Sequence, residues 1–139
     1  MRNKTPLILM ELACMLLVFA LAAVLCLQAF VWADTASKES VKQDRALREA
    51  QNVAESVKGL QGDFSAVEQF CGGLWEDDAG YICYNGNWEE TEEEATYVLR
   101  CVRTQERLEY LEGALVEVLE GEQVLASLRI AWQGVVTHE

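Results

Sequence analysis

Side chains that can do chemistry are sparse in this sequence. The only histidine, His138, is the penultimate residue, where a frayed tail is the expected structure. Without it no Ser/His/Asp or Cys/His arrangement can be built, and no glycine-rich phosphate-binding loop occurs. The residue types therefore predict a protein that is not an enzyme and that uses no cofactor.

Acidic runs at 76–78 and 89–94 offer clustered oxygens of the kind that Ca²⁺ prefers. Both runs lack the ligand spacing and the central glycine of an EF-hand loop, so solvated loops are the favoured interpretation and no metal site is predicted. The three tryptophans of this region, Trp75, Trp88 and Trp132, are interpreted as core or sheet-face residues rather than as a ligand platform.

The five cysteines fall into two groups. Cys14 and Cys26 lie in a long apolar run and are interpreted as small apolar filler. Cys71, Cys83 and Cys101 lie in the acidic region, and two of these three are expected to form a disulfide if that region is exported. The sequence leaves open which two.

One carboxylate, Glu11, interrupts the apolar run at residues 7–33, whose only other strongly polar side chain is Gln28. About twenty apolar residues suffice for a helix to cross a bilayer. A cleaved signal peptide has a shorter apolar stretch, and a plain anchor would leave Glu11 unexplained. A carboxylate inside a membrane is a functional-site hypothesis that calls for a cationic partner.

Charge is distributed unevenly around this run. Arg2 and Lys4 precede it, residues 34–60 hold five acids and five bases, and residues 61–139 hold seventeen acids against four arginines. The positive-inside rule places the N-terminus in the cytoplasm and residues 34–139 outside, in a single-pass cell-membrane protein. An external part so acidic repels phosphate backbones, so no nucleic acid is expected to bind it.

The helical pattern continues beyond the apolar run, without glycine or proline, until Gly59. Apolar residues then recur at three- and four-residue spacing and form one stripe, with Lys38, Lys42, Arg45 and Arg48 mostly off it. The stripe consists of Val41, Leu47, Ala50, Val53, Ala54, Val57 and Leu60. One helix from about residue 7 to residue 58 is predicted, and its second half needs a surface to pack against.

The segment up to residue 60 resembles the N-termini of type IV pilins and of the pseudopilins of type II secretion systems. "MRNKTP" resembles their basic leader, Leu7 the first mature residue, and Glu11 the glutamate at mature position five. "CLQAFVWA" and "AQNVAES" are similar to segments of clostridial pilin-like proteins. The resemblance implies leader removal by a prepilin peptidase between Pro6 and Leu7, and pairing of Glu11 with the new amine of a neighbouring subunit.

Pro6 departs from the family pattern, which has a small residue such as glycine before the cut. Proline fixes φ and lacks a backbone N–H, which is expected to hinder the peptidase.

From Gly80 onward the apolar period changes to two, which predicts three or four antiparallel strands with one apolar and one wet face. Asn85-Gly86 predicts a hairpin. The last strand is expected to place one set of residues on the apolar face: Val124, Ala126, Leu128, Ile130 and Trp132.

The fold predicted from these patterns is α+β, with a long N-terminal helix packed on a small antiparallel sheet. It comprises a leader (1–6), a membrane-spanning half-helix (7–33), an amphipathic half-helix (34–60) and an extracytoplasmic β domain (61–139).

The expected function is that of a minor pilin-like subunit of a type IV filament, a type II secretion system or a DNA-uptake apparatus. Its expected partners are other pilin-like subunits, through the N-terminal helix, membrane lipid and a prepilin peptidase. The alternative is a membrane-anchored extracytoplasmic binding module that does not polymerise.

Overall fold

The computed structural model describes residues 3–108 and 110–134, without the side chains of 105–108. His138 and Arg2 lie outside the described residues. The chain divides into two compact units, residues 1–41 and residues 42–139, and the second is called the head below. The helices are α1 (Thr5–Gly59) and α2 (Phe64–Cys71). The strands are β1 (Leu74–Trp75), β2 (Ala79–Tyr84), β3 (Tyr97–Leu108), β4 (Leu111–Glu120) and β5 (Gln123–Gln133).

Helix α1 has nearly the predicted bounds, because no glycine interrupts the sequence between its first turn and Gly59. Beyond its end the chain turns through Gly62, at φ +75°, whose N–H donates to the Val57 carbonyl at 2.9 Å. A Cβ at Gly62 would lie 2.4 Å from the Trp132 ring. Glycine therefore permits both the left-handed turn and the close approach of the ring.

The buried face of α1 in the head differs in part from the predicted stripe. Ala50, Val53, Ala54 and Val57 are buried as expected, and Ala46 joins them. The other predicted members are Val41, Leu47 and Leu60, which are 66%, 38% and 37% exposed.

Two basic residues are also placed differently from the prediction, since Lys42 and Arg45 lie on the half-buried side of α1. Lys42 bonds Glu120 of β4 at 2.9 Å, and Arg45 pairs with Glu49 at 3.1 Å. Long side chains cover apolar surface with their stems while the charged ends find carboxylates.

Helix α2 is an element that the periodicity analysis missed. Asp63 caps it by accepting a hydrogen bond from the Ala66 N–H at 3.3 Å, and Gly72 follows it at φ +74°. Phe64 and Val67 form its buried side. Eight residues are too few for a clear apolar period, although the Asp63 cap and the paired glycines at 72–73 were available as signals.

The sheet is fully antiparallel, with its five strands in chain order. The α+β class is therefore confirmed. The sheet has five strands where three or four were predicted, and β1 was missed because it has only two residues and no detectable alternation. One face of the sheet bears the core residues Ile82, Leu99, Cys101 and Val116, which lie in one cluster with the buried residues of α1.

A bulge explains why the predicted face of β5 is wrong at its start. Val118 pairs with Ala126 but Leu119 pairs with Val124, so Leu125 is an extra residue in β5. Leu125 is consequently buried and Val124 is 48% exposed. Further along, Ile130 and Trp132 are buried as predicted, with Ala126 and Leu128 half-buried. Alternation predicts faces only where pairing is regular.

The turn predicted at Asn85-Gly86 is present, but it does not join two long strands. Asn85 Oδ1 accepts hydrogen bonds from the N–H groups of Asn87 and Glu89, at 2.9 and 3.0 Å. The chain pairs again only in one bridge, between Tyr84 and Glu90. The long strand that pairs with β2 is instead β3.

The outer face of the sheet is less polar than predicted. Its cross-strand register sets Cys83, Val98, Leu119 and Val124 in one row. Arg100 and Glu117 form an ion pair in the adjacent row.

Candidate functional site: the apolar segment of helix α1

The apolar segment of the first unit is the part of α1 that precedes Asp34, and its side chains are exposed in the part of the chain that the structure describes. Its large apolar side chains are at least half exposed from Leu7 to Trp32. By length and composition α1 is able to cross a membrane, and the qualifying window is unburied. An exposed apolar surface of this kind needs lipid or other protein chains around it. A single-pass anchor is compatible with these features.

Glu11 lies two turns into α1, among apolar side chains. Lys4, Leu7, Ile8 and Cys14 surround the same shallow depression on the helix surface. Among the described residues the Glu11 carboxylate has neither a hydrogen bond nor an ion pair, and Lys4 does not reach it. A cation that pairs with Glu11 would therefore come from outside the described residues.

Pro6 lies in the first turn of α1, which begins at Thr5. Proline is tolerated there, because the first N–H groups of a helix have no partner within the helix. The predicted cleavage point between Pro6 and Leu7 therefore lies inside a helical turn rather than before the helix.

The head carries a different kind of arrangement around Arg103. Arg103 Nε donates to the Asp77 carbonyl at 2.9 Å, Nη1 donates to Glu112 at 3.2 Å, and Nη2 donates to the Gly62 carbonyl. The guanidinium carbon lies 4.6 Å from the centroid of the Phe64 ring. Planar donors between a carboxylate, two carbonyls and an aromatic ring fit a structural role.

The tryptophans of the head pack within it, in agreement with their interpretation from the sequence. Trp132 is buried, and Trp75 and Trp88 are half-buried against the core. Trp88 stacks on Tyr97, with ring centroids 4.0 Å apart. Trp75 meets Phe64 edge-on at 5.1 Å.

Tyr84 is buried beside that stack, and burial raises the pKa of its hydroxyl. The negative charges of Glu49 and Glu90 raise the same pKa further, while Arg45 opposes them. A buried phenol next to two carboxylates stays neutral, which suits packing rather than proton transfer.

Cys71, Cys83 and Cys101 are free thiols in the structure. Cys101 faces the core with Leu99, whereas Cys83 pairs with Val98 on the outer face. A bridge between Cys83 and Cys101 is therefore incompatible with this register, because adjacent-strand side chains on opposite faces diverge. The predicted disulfide has no support in the structure.

The acidic runs form loops, of which 76–78 is held by hydrogen bonds from Arg103 to the carbonyls of Asp77 and Asp78, and 89–94 by a carboxylate. Glu90 Oε1 accepts the Gly73 N–H at 2.8 Å. Within the described ranges, no group of three His, Cys, Asp or Glu side chains is placed to hold a metal ion.

The sequence analysis placed Glu11 on α1 in advance, but it put Pro6 in a leader before the helix, whereas α1 begins at Thr5. It missed the contacts of Arg103 and the Lys42–Glu120 pair, because both depend on which strands are neighbours. Comparison with known protein families, curated proteins and solved structures yields no match to this chain.

Proposed function

We propose that this chain is a pilin-like subunit, most simply a minor one. It works by assembling with similar subunits through the apolar segment of α1 and not by catalysis. The assembly would be a type IV filament, a type II secretion system or a DNA-uptake apparatus. The N-terminus would be cytoplasmic and the head extracytoplasmic. The single observation that supports this proposal most is the unpartnered Glu11 on an uncovered apolar helix.

The energetic argument rests on what a membrane does to a lone carboxylate. An acid at mid-membrane costs about 2.5–3.5 kcal/mol on insertion scales, and less near the interface. Such a cost is useful only if the carboxylate gains something. The amine of a neighbouring subunit, freed at Leu7 by removal of the leader, would form a charge-assisted pair that also sets the register between helices.

The experiment compares the amount of protein in membranes with the amount in sheared filaments. Cells producing the chain with a prepilin peptidase, an assembly ATPase and other pilin-like chains are examined for wild type, Glu11→Ala and Glu11→Gln. We expect Glu11→Ala to keep or raise the membrane level and to lower the filament level. Glu11→Gln should restore the filament level only partly, because an amide keeps the hydrogen bonds and loses the charge.

Gln28→Ala is the matched control, since it removes the other strongly polar side chain of the same apolar run. It should leave both levels unchanged. Pro6→Gly tests the leader, because more protein should lose the mass of residues 1–6 if the peptidase acts here. Equal filament levels for all variants, or no filament-associated protein even for wild type, would favour the membrane-anchored binding module.

A further inference from the structure

The two edges of the sheet in the head are unequal. The β1 edge has two residues, whereas the β5 edge has eleven, Gln123–Gln133. Strand β5 pairs with β4 on one side, and no described residue pairs with its other side. An edge strand presents alternate N–H and C=O groups outward, and these are able to pair with another strand.

The composition of β5 leaves this edge almost unprotected. It contains no proline, no lysine and no carboxylate, and Arg129 is its only charged residue. Natural edge strands avoid association by shortness, charge, proline or bulges. Here the only bulge lies near the start of the strand, at Leu125, so the stretch from Ala126 to Gln133 is regular.

Charge favours this edge as a point of approach for another acidic molecule of the same kind. Residues 61–139 carry seventeen acids and four arginines. The carboxylates of β4, the neighbouring strand, are already held, because Glu112 pairs with Arg103, Glu117 with Arg100 and Glu120 with Lys42. Two heads that meet along β5 therefore avoid placing acid against acid at the point of contact.

We propose that two copies of this chain associate through β5, antiparallel across a two-fold axis, so that their sheets join into one sheet of ten strands. A pairing centred on Leu128 sets Ala126 opposite Ile130 on the core face. The same pairing sets Ser127 opposite Arg129 on the outer face. Centring on Arg129 instead would oppose two guanidinium groups, which is unfavourable.

Burial on the core face also favours a second copy as the occupant of this edge. Ala126 and Leu128 pack against the core but remain half-buried, whereas Ile130 is buried. In the pairing centred on Leu128, the two Leu128 side chains meet each other and Ala126 meets Ile130, apolar against apolar. The association is isologous, so every contact away from the two-fold axis occurs twice. It does not depend on assembly into a filament.

The test is a charge series at the position that faces Arg129 of the second copy. Ser127 is exposed and lies opposite Glu117 of β4 in its own head, so the stability of each variant is measured beside its association. Ser127→Arg opposes two like charges in each of two symmetric contacts, and should weaken dimerisation about 2- to 30-fold. Ser127→Glu should strengthen it, and the double variant Ser127→Arg/Arg129→Glu should restore it.

The measurement is sedimentation equilibrium of the full chain in detergent over a range of concentrations. Ser65→Arg is the matched control, because it makes the same substitution at an exposed position of α2, and it should behave as wild type. Thermal melting followed by circular dichroism confirms that each variant is folded. A Ser127→Cys chain and an Arg129→Cys chain that carry different tags can also be produced together. They should form a disulfide that links the two differently tagged chains.

Three results would overturn the proposal. The first is a wild-type chain that stays monomeric at every concentration, which would leave the edge to a strand of another protein. The second is a dimer equally stable in Ser127→Arg and Ser65→Arg, which would assign association to α1. The third is a double variant as weak as Ser127→Arg, which would exclude the register centred on Leu128.

Discussion

Arg103 connects parts of the head that are far apart in the sequence. Its three donor nitrogens reach the turn after α1, the turn before β2, and a carboxylate on β4. Its guanidinium also lies over Phe64 of α2. A single side chain therefore holds the end of α1 and the start of α2 against the sheet.

Lysine cannot replace these contacts, because it offers one compact charge where arginine offers a planar fork. Arg103→Lys should lower the free energy of unfolding of the head by about 1–2 kcal/mol, since it leaves carbonyl oxygens without donors. Urea unfolding in detergent, followed by tryptophan fluorescence, measures this. Arg100→Lys is the control, because Arg100 contacts the single carboxylate of Glu117 and should change stability by less than about 0.5 kcal/mol. Equal losses for the two variants would contradict the role given to Arg103.

The Cys101 thiol gives the head a predictable response to alkaline pH. Burial raises its pKa from 9.0 to about 12, opposed by the positive charge of Arg103. The unfolded chain loses this proton near pH 9 and the folded chain keeps it to about pH 12. The contribution of the protonated thiol to the free energy of unfolding is therefore fully present below pH 9. It is lost between pH 9 and pH 12, by at most about 1.4 kcal/mol per pH unit.

Cys101→Val should therefore flatten the fall in stability between pH 9 and pH 10, as measured by urea unfolding at each pH. Above pH 10 a fall remains, because burial also raises the pKa of Tyr84. Val116→Ala is the control, because it removes buried volume opposite Cys101 and no titratable group, so it should lower stability by the same amount at every pH. A Cys101→Val profile identical to that of wild type would show that the thiol does not control this range.

At the scale of elements, the contact of α1 with the sheet depends on small side chains. Ala46, Ala50 and Ala54 recur every four residues and are almost fully buried. Ala50→Leu adds volume to a filled interface and should cost about 1–3 kcal/mol of unfolding free energy. Gln51→Leu, one position further along and exposed, should cost nothing measurable. A tolerated Ala50→Leu would mean that α1 packs loosely on the sheet.

Period and length predicted the elements well where the pattern is long and regular. Helix α1 and the α+β class could be predicted in this way. Leu125 could not, because a bulge inverts the face of a strand without changing its composition. The predicted stripe omitted Ala46 and wrongly included Val41, because it was assigned from hydrophobicity. Burial depends instead on which residues of α1 contact the sheet. Helix α2 escaped because eight residues give little periodicity.

At the scale of the whole molecule, charge decides how the chain is expected to lie in a membrane. The long apolar segment is flanked by Arg2 and Lys4 before it, and the acids are concentrated in the head. Basic residues next to a spanning helix are retained in the cytoplasm, whereas acids contribute little to orientation. The proposed orientation therefore rests on two residues, which makes it easy to test.

Protease added to intact cells stripped of their wall should remove residues 34–139 and leave a membrane-protected fragment that ends near Asp34. The double variant Arg2→Glu/Lys4→Glu removes the basic flank and should increase the protease-resistant fraction of the head, because orientation is no longer biased. Arg45→Glu/Arg48→Glu changes the same number of charges beyond the apolar segment, and we expect it to leave the head accessible.

Digestion after detergent lysis shows that every variant is cleavable. A head that is fully protected in intact wild-type cells and cut only after lysis would reverse the orientation. Such a result would also remove the extracytoplasmic assembly partners from the proposed function.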